Sequence, residues 1–403
     1  MSKINGEWLY GVASSGKIKV WKASTDFQKN DEGHVTILVE WGYENGKIQT
    51  KERVVKKGKN IGKSNETTVE QQAELSLASL YQAQLDSHYV YKEDLDHRLA
   101  NPPRNSMLAK VFQERLHKLP MTLQGVFTEK VYLQPKFNGI RCEGRHSDGG
   151  VSFVSRTNKP FQPFKHLIPT IEKLMPKGCS FDGELFNPKI RFEYISSLVN
   201  SESTRDVWNE TVDPPILYEE DDIKYYVYDL YGYDHLTFTE RLAVLTELSK
   251  DFSPDFVLTE TVEVASLEEI YTKTKELIAQ GYEGAMVRVG SSYYEYNKRS
   301  DGLLKYKLMQ QEEFRITAVY AAENNPDKPM FTCYSELASA EFNCSLEGSV
   351  KENKKYLEDP SKWVGSYLTV DFQDLTINNL PTFPVGVGIR AGTVVDGVFV
   401  PEV

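Results

Sequence analysis

An α+β, multidomain chain is predicted from three observations along the sequence. Residues 7–55 read mostly as strands, residues 131–307 mix strands with capped helices, and residues 313–399 return to short strands between Gly, Pro and Asn turns. The expected architecture is therefore a small β-rich domain, a mixed α/β domain with antiparallel sheets, and a C-terminal β-barrel. Length agrees, since 403 residues hold two or three domains at roughly 150 residues each.

The elements follow in order. Trp8-Leu9-Tyr10, Lys17 to Trp21 and Val35 to Trp41 are enriched in β-branched and aromatic residues, with Gly-containing turns between them. Over residues 66–88 the period changes: Val69, Ala73, Leu77, Leu80 and Tyr81 fall on one helical face, so one helix closes the first domain. Residues 92–106 (KEDLDHRLANPPRNS) are polar and hold Pro102-Pro103, the composition of a linker. Thr237 with Glu240, and Ser266 with Glu269, have the spacing of helix N-caps. The second of these helices carries Leu267, Ile270, Tyr271, Thr274, Leu277 and Ile278 on its buried face and stops at Gly281. Residues 331–342 and 366–375 alternate as barrel strands should. Boundaries near 95 and 308 give domains of 1–95, 96–308 and 309–403.

Composition excludes several classes. Charged residues make up 26% and hydrophobic residues 40%, and there is no run of 18 apolar residues, so no membrane span is expected. The start, MSKINGEWLYG, lacks the layout of a signal peptide. Cys142, Cys179, Cys333 and Cys344 are far apart, and the seven histidines contain no HExxH. An intracellular protein without a disulfide framework or a Cys/His metal site is expected.

The net charge is −11, but it is unevenly placed. Residues 47–63 (KIQTKERVVKKGKNIGK) hold seven basic side chains and one acid, Glu52. Two readings stay open: a solvated charged hairpin, or a phosphate-contacting patch using Lys51, Arg53, Lys56, Lys57 and Lys59.

The chemistry is carried by Gln134-Pro-Lys-Phe-Asn-Gly-Ile-Arg141. Its KxxGxR pattern puts a lysine beside a glycine that would let a phosphate approach the backbone, with an arginine two residues on. Alone this pattern is weak. Order strengthens it: Ser155-Arg156, Phe181-Asp-Gly-Glu184, Tyr225-Tyr-Val-Tyr-Asp229, Tyr282-Glu-Gly-Ala-Met-Val-Arg288 and Lys298-Arg-Ser-Asp-Gly-Leu-Leu-Lys-Tyr-Lys307 follow in turn. A lysine attacking a phosphate needs a lowered pKa and cationic cover for the phosphates. Lys305 and Lys307, two apart on a strand, face one side. Glu184 and Glu283 are carboxylates suited to hard Mg²⁺.

This ordered set resembles the covalent nucleotidyltransferases and, within them, the ATP-dependent DNA ligases, over about residues 100–400. The resemblance implies an adenylyltransferase (ATP-grasp-like ligase) domain followed by an OB-fold barrel, and an ATP-dependent, Mg²⁺-requiring enzyme that seals nicked duplex DNA as a monomer in the cytoplasm of a bacterial or virus-infected cell. It makes Lys136 the nucleophile that carries AMP. Gln134 lies where the family contacts adenine, and Tyr228 where a ring stacks on the base. Glu184 would hold a ribose hydroxyl or a metal water, and Glu283 the catalytic metal. Arg141 and Arg156 would engage the nucleotide sugar and the 5′-phosphate of the nick; Arg299, Lys305 and Lys307 would reach phosphates. Use of ATP rather than NAD⁺ follows from the absence of a four-cysteine zinc module and of a nicotinamide-binding segment before Lys136.

Two positions depart from the family pattern. Asn138 stands where Asp is usual, and Thr382 stands before Phe-Pro where a basic residue is common. In the first domain Trp41-Gly42-Tyr43, with strands before it and a helix after it, resembles a WGR domain in which Tyr43 replaces the arginine; a purely structural β-module is the other reading. For the whole chain the alternatives are an RNA ligase or capping-type guanylyltransferase, or a silent nucleic-acid-binding relic.

Overall fold

The structure is a computed structural model. It describes residues 5–13, 15–100, 104–162, 164–201, 206–323, 325–376, 378–390, 392–395 and 398–401, with the backbone alone beyond Arg390. The chain forms two compact bodies, residues 1–282 with 286–305 and residues 283–285 with 306–403. Among the described residues no helix is long and apolar enough to cross a membrane.

The first body opens with β1 (Leu9–Val12), β2 (Ile18–Ser24), β3 (Val35–Tyr43) and β4 (Gln49–Val55), an antiparallel sheet in that order, and α1 (Val69–Asp86). Thr68 and Gln71 form a capping box that starts the helix. Ala73, Leu77 and Tyr81 of the predicted face are buried, the last two against Leu9, Trp21, Ala23, Ile37 and Val39. The Tyr81 ring meets Trp21 edge-on at 5.0 Å. Trp41 lies opposite Trp21 in register and is only partly buried; Trp21 is the tryptophan inside the core.

Residues 92–100, expected as linker, are helical instead: a single turn at Lys92–Asp94 leads into α2 (Leu95–Ala100). Leu95 supplies the reason, since it is buried and gives this polar segment an apolar anchor. Pro102-Pro103 lies outside the described residues. Beyond it Asn105 places Oδ1 2.9 Å from Nε2 of His88. Burial lowers the pKa of half-buried His88 from its ordinary 6.5, with nearby Arg98 and Arg145 adding to the effect. The unfolded chain therefore binds this proton more readily than the folded one. Stability from this group is full above pH 6.5 and is lost as pH falls below it. Between about pH 7.5 and 5.5 the melting temperature of the intact protein should fall more than that of a His88→Gln variant. Equal slopes would remove His88 from the pH response.

The rest of the first body runs β5 (Leu108–Val111), β6 (Val126–Lys136), β7 (Ile140–Ser147), β8 (Gly150–Ser155), α3 (Ile168–Leu174), β9 (Ser180–Phe186) and α4 (Phe192–Asn200). A hairpin of β10 (Val207–Asn209) and β11 (Ile216–Tyr218) precedes β12 (Lys224–Tyr231), α5 (Phe238–Leu248), β13 (Phe256–Leu258), β14 (Val262–Ser266), α6 (Leu267–Ala279), β15 (Gly284–Val289) and β16 (Arg299–Tyr306). Two five-stranded sheets result, β13-β12-β9-β7-β8 and β14-β6-β15-β16-β5. The first is mainly antiparallel as expected, but each takes in a parallel edge strand, β13 on β12 and β5 on β16. Thr237 and Ser266 accept the amides of Glu240 and Glu269, so both predicted caps form. Gly281, at φ +91°, ends α6 in the left-handed conformation that glycine adopts without a Cβ clash. Tyr271 on that helix is exposed, while Ile270 and Thr274 make the buried stripe.

The second body is built on β17 (Gln310–Ala322), β18 (Asn325–Ser335), β19 (Ala340–Leu346), α7 (Val350–Asn353), β20 (Tyr367–Phe372) and β21 (Val385–Arg390), followed by the hairpin β22 (Gly392–Val395) and β23 (Val398–Pro401). Five of its strands close in the order β17-β18-β19-β21-β20, an arrangement consistent with an OB fold. Inward-facing Phe314, Ile316, Phe331, Cys333, Cys344, Leu368, Val370 and Phe372 fill it. Residues 331–342, read as one strand from their alternation, are two strand ends joined by a turn at residues 336–339. Exposed Leu337 in that turn supplied a false apolar position.

Candidate active site

Strand alternation builds the site. On one side of the β12-β9-β7 surface Cys142, Phe181, Leu185, Tyr225, Val227 and Leu230 enter a single apolar core. On the other side the register aligns Arg141 with Glu184 and Tyr226, and Glu143 with Asp182 and Asp229. The register of β12 shifts between Val227 and Asp229, so Tyr228 is an extra, bulged residue. A bulge lets two successive side chains share a face, and the Tyr228 ring lies 5.9 Å from the Arg141 guanidinium. Burial pushes its hydroxyl pKa up, so the ring stays neutral.

Lys136 is the last residue of β6, and β7 begins at Ile140, so KxNG forms the turn between the two sheets. Phe137 anchors that turn, its ring 4.9 Å from Tyr226, 5.2 Å from Phe186 and 5.7 Å from Tyr282. Asn138 beside it is exposed. The glycine also has a packing role. A Cβ at Gly139 would lie 2.5 Å from the carbonyl oxygen of Leu185 and 2.9 Å from Cγ of Glu184. Its bareness lets the turn press against β9, the strand that carries Glu184.

Arg141 makes a fork to Asp182, with Nε 2.9 Å and Nη2 2.6 Å from the carboxylate, and Nη1 donates to the carbonyl of Met107 at 2.7 Å. Tyr294 donates to the same carboxylate at 2.6 Å, and Asp182 is wholly buried. Gln134 is also buried: Nε2 donates to the carbonyl of Tyr228 (3.2 Å) and the hydroxyl of Thr261 (3.0 Å), and Oε1 accepts from Arg288 at 3.0 Å. Its side chain is turned into the protein.

Lys136, Arg141, Glu184 and Tyr228 are thus gathered at one turn and one sheet face, with Gln134 beneath. The other expected residues stand on elements other than β6, β7, β9 and β12. Arg156 is exposed in the turn after β8, and Arg299 is exposed with Nη1 donating to the carbonyl of Ala109 at 3.0 Å. Lys305 sits within β16 beside Val111, and Lys307 follows the last residue of that strand rather than continuing it. In the second body Lys307 donates to Glu283 and, at 2.7 Å, to Oε1 of Gln373, so an expected phosphate ligand and an expected metal ligand form an ion pair. Lys51, Arg53, Lys56, Lys57 and Lys59 are all exposed on or just after β4, an edge strand.

The sequence reading missed the buried charges under the site. Asp229 accepts Nε of Arg241 at 2.7 Å and Nη1 of Arg288 at 2.9 Å. Burial alone would push Asp229 up, but Arg241 and Arg288 hold it below the ordinary carboxylate range. Glu143 is paired with Arg145 at 2.8 Å. A signal was available for Asp229 and Arg288: each is a charge flanked by apolar and aromatic residues within a strand, which survives burial only with a partner.

A family of known proteins matches this region. The family described as the ATP dependent DNA ligase domain covers residues 106–307, and the chain belongs to it. The DNA ligase of African swine fever virus is 28% identical over 272 residues, which is 64% of this chain and 58% of the viral protein. The chain therefore spans little more than half the length of that relative. Among solved structures, one of a Lig E DNA ligase superposes with a TM-score of 0.54 at 22% identity, covering 72% of this chain and 100% of the other. A second, named Pmar-Lig_Pre, gives 0.59 at 18% identity, covering 75% and 72%. At such identities these two likenesses concern the fold.

Proposed function

We propose that the protein is an ATP-dependent DNA ligase that seals nicks in duplex DNA as a monomer. The observation that carries this reading is the Lys136 turn, set beside Glu184, Arg141 and Tyr228 inside the segment that matches the family. Deprotonated Nζ of Lys136 attacks the α-phosphorus of ATP; the P–N bond forms, the bond to the β-phosphate oxygen breaks, and pyrophosphate leaves. An oxygen of the 5′-phosphate at the nick then attacks the AMP phosphorus, which breaks the P–N bond and regenerates the lysine. Finally the 3′-hydroxyl attacks that 5′-phosphate, and AMP departs as the phosphodiester forms.

In this scheme Tyr228 stacks on adenine, the main chain at Gln134 meets its edge, and Glu184 holds the ribose. Arg156, Arg299, Lys305 and Lys307 cover phosphates. Among the described residues no three His, Cys, Asp or Glu side chains are grouped as a metal cage. Mg²⁺ needs fewer, because it keeps waters and takes phosphate oxygens beside one or two carboxylates, and Glu184 and Glu283 have the right chemistry. When bound it would neutralise charge on the phosphates. Glu283 can serve it once Lys307 is drawn to a phosphate. The test is joining of a 5′-labelled nicked duplex with ATP and Mg²⁺. Joined product is expected; retention of nicked DNA without joining would contradict the reading.

The first domain is proposed as a WGR-like DNA-contacting module, with the basic edge strand on phosphates. Replacing Lys51, Arg53, Lys56, Lys57 and Lys59 by Gln should weaken duplex binding. The salt slope should shrink by about 0.9 for each phosphate that the variant no longer neutralises. Titrations at several salt concentrations measure this, and an unchanged slope would return the segment to a solvated hairpin.

A further inference from the structure

Arg288 spans the two sheets of the first body, from β6, which carries Lys136, to β12, which carries Tyr228. It stands on β15, its side chain 3% exposed. Nε donates to Gln134 on β6, two residues before Lys136, and Nη1 donates to Asp229 on β12 of the other sheet. Its guanidinium carbon lies 5.7 Å from the Tyr228 ring centroid and 4.7 Å from that of Phe238. Gln134 completes the link, because Nε2 donates to the carbonyl of Tyr228. The Gln134 amide is oriented from both ends, its oxygen by Arg288 and its nitrogen by Tyr228 and Thr261.

We infer that Arg288 is a positioning residue, which through Gln134 and Asp229 sets where the Tyr228 ring stands relative to the Lys136 strand and so governs affinity for the nucleotide base. This rests on the ligase reading above. The geometry favours positioning over a purely stabilising ion pair for a specific reason. Asp229 already has a second guanidinium, Arg241, at 2.7 Å, so its charge has another partner besides Arg288. What Arg288 alone adds is the bond to Gln134 and its place at the bulge. A buried ion pair can often be replaced by apolar residues at little cost, so stability alone does not call for this fork. Lysine cannot substitute for it, since an ammonium lacks the planar geometry needed to serve Gln134 and Asp229 together.

The test uses the full chain and follows AMP transfer from α-labelled ATP in Arg288→Lys, Arg288→Met and Gln134→Met variants. KM for ATP should rise about tenfold in Arg288→Lys, while kcat at saturating ATP stays within about threefold; Gln134→Met should move in the same direction. A kcat loss with unchanged KM, or no change in either, would overturn the inference. A merely structural role would lower the folded fraction and leave KM alone, so the KM-against-kcat split separates the two. If Arg288→Met does not fold, Arg288→Lys and Gln134→Met decide. Wild-type protein is run alongside, and its failure to take label from ATP would count against the ligase reading instead.

Discussion

Lys136→Ala should abolish transfer of AMP to the chain while leaving the melting temperature and the affinity for nicked duplex nearly unchanged. No other group in the proposed scheme forms the P–N bond, so the loss should be complete rather than partial. The fold should survive because neighbouring residues anchor the turn. Phe137 packs into three aromatic rings, and Gly139 seats the turn on β9. Truncating a half-buried side chain at a strand end should cost about 1 kcal/mol, too little to unfold the chain. Gel-based label transfer and a thermal melt on the same preparation check both halves. Residual transfer, or global unfolding, would contradict the assignment.

Asp229→Ala should have the largest effect on stability. The aspartate is buried with Arg241, which is itself fully buried, and with Arg288. Taking it away leaves two buried guanidinium charges without the carboxylate they share, the case in which breaking a buried pair costs about 3–5 kcal/mol. Asp229 also accepts from its neighbour's amide at Leu230, so the bulge that turns Tyr228 toward Arg141 loses a support. Denaturant unfolding should show the loss, and ATP transfer should weaken in parallel. A variant within about 1 kcal/mol of wild type would mean that the arginines find other partners.

Much of the fold was legible because its signals are local. Thr237 with Glu240 and Ser266 with Glu269 are caps that need only their own helix, and Gly281 stops α6 by its own conformation. The barrel announced itself through alternation, although Leu337 made a turn look like strand. The middle region could be read from motif order, since Lys136, Glu184 and Tyr228 each end or occupy a strand. What could not be read was pairing at a distance. That Arg141 binds Asp182, that Arg288 reaches Gln134 across 154 residues, and that Lys307 pairs with Glu283 depend on register. The bulge at Tyr228 is equally silent in sequence, because one extra residue in a strand leaves no compositional trace. The packing role of Gly139 was silent for a related reason: the strand it presses on is some 45 residues away. Polar residues 92–100 looked like linker because a single apolar anchor, Leu95, gives no periodicity.

The most direct test of the account is covalent label transfer to the full chain. The protein is incubated with Mg²⁺ and α-labelled ATP, GTP or NAD⁺ in parallel, after removal of any AMP already carried. It is then denatured in alkali, which spares a P–N bond, and mapped by peptide mass spectrometry. Label from ATP alone, on Lys136 and released by acid, is the predicted result. Label from GTP or NAD⁺, label on another residue, or none from any donor would contradict it.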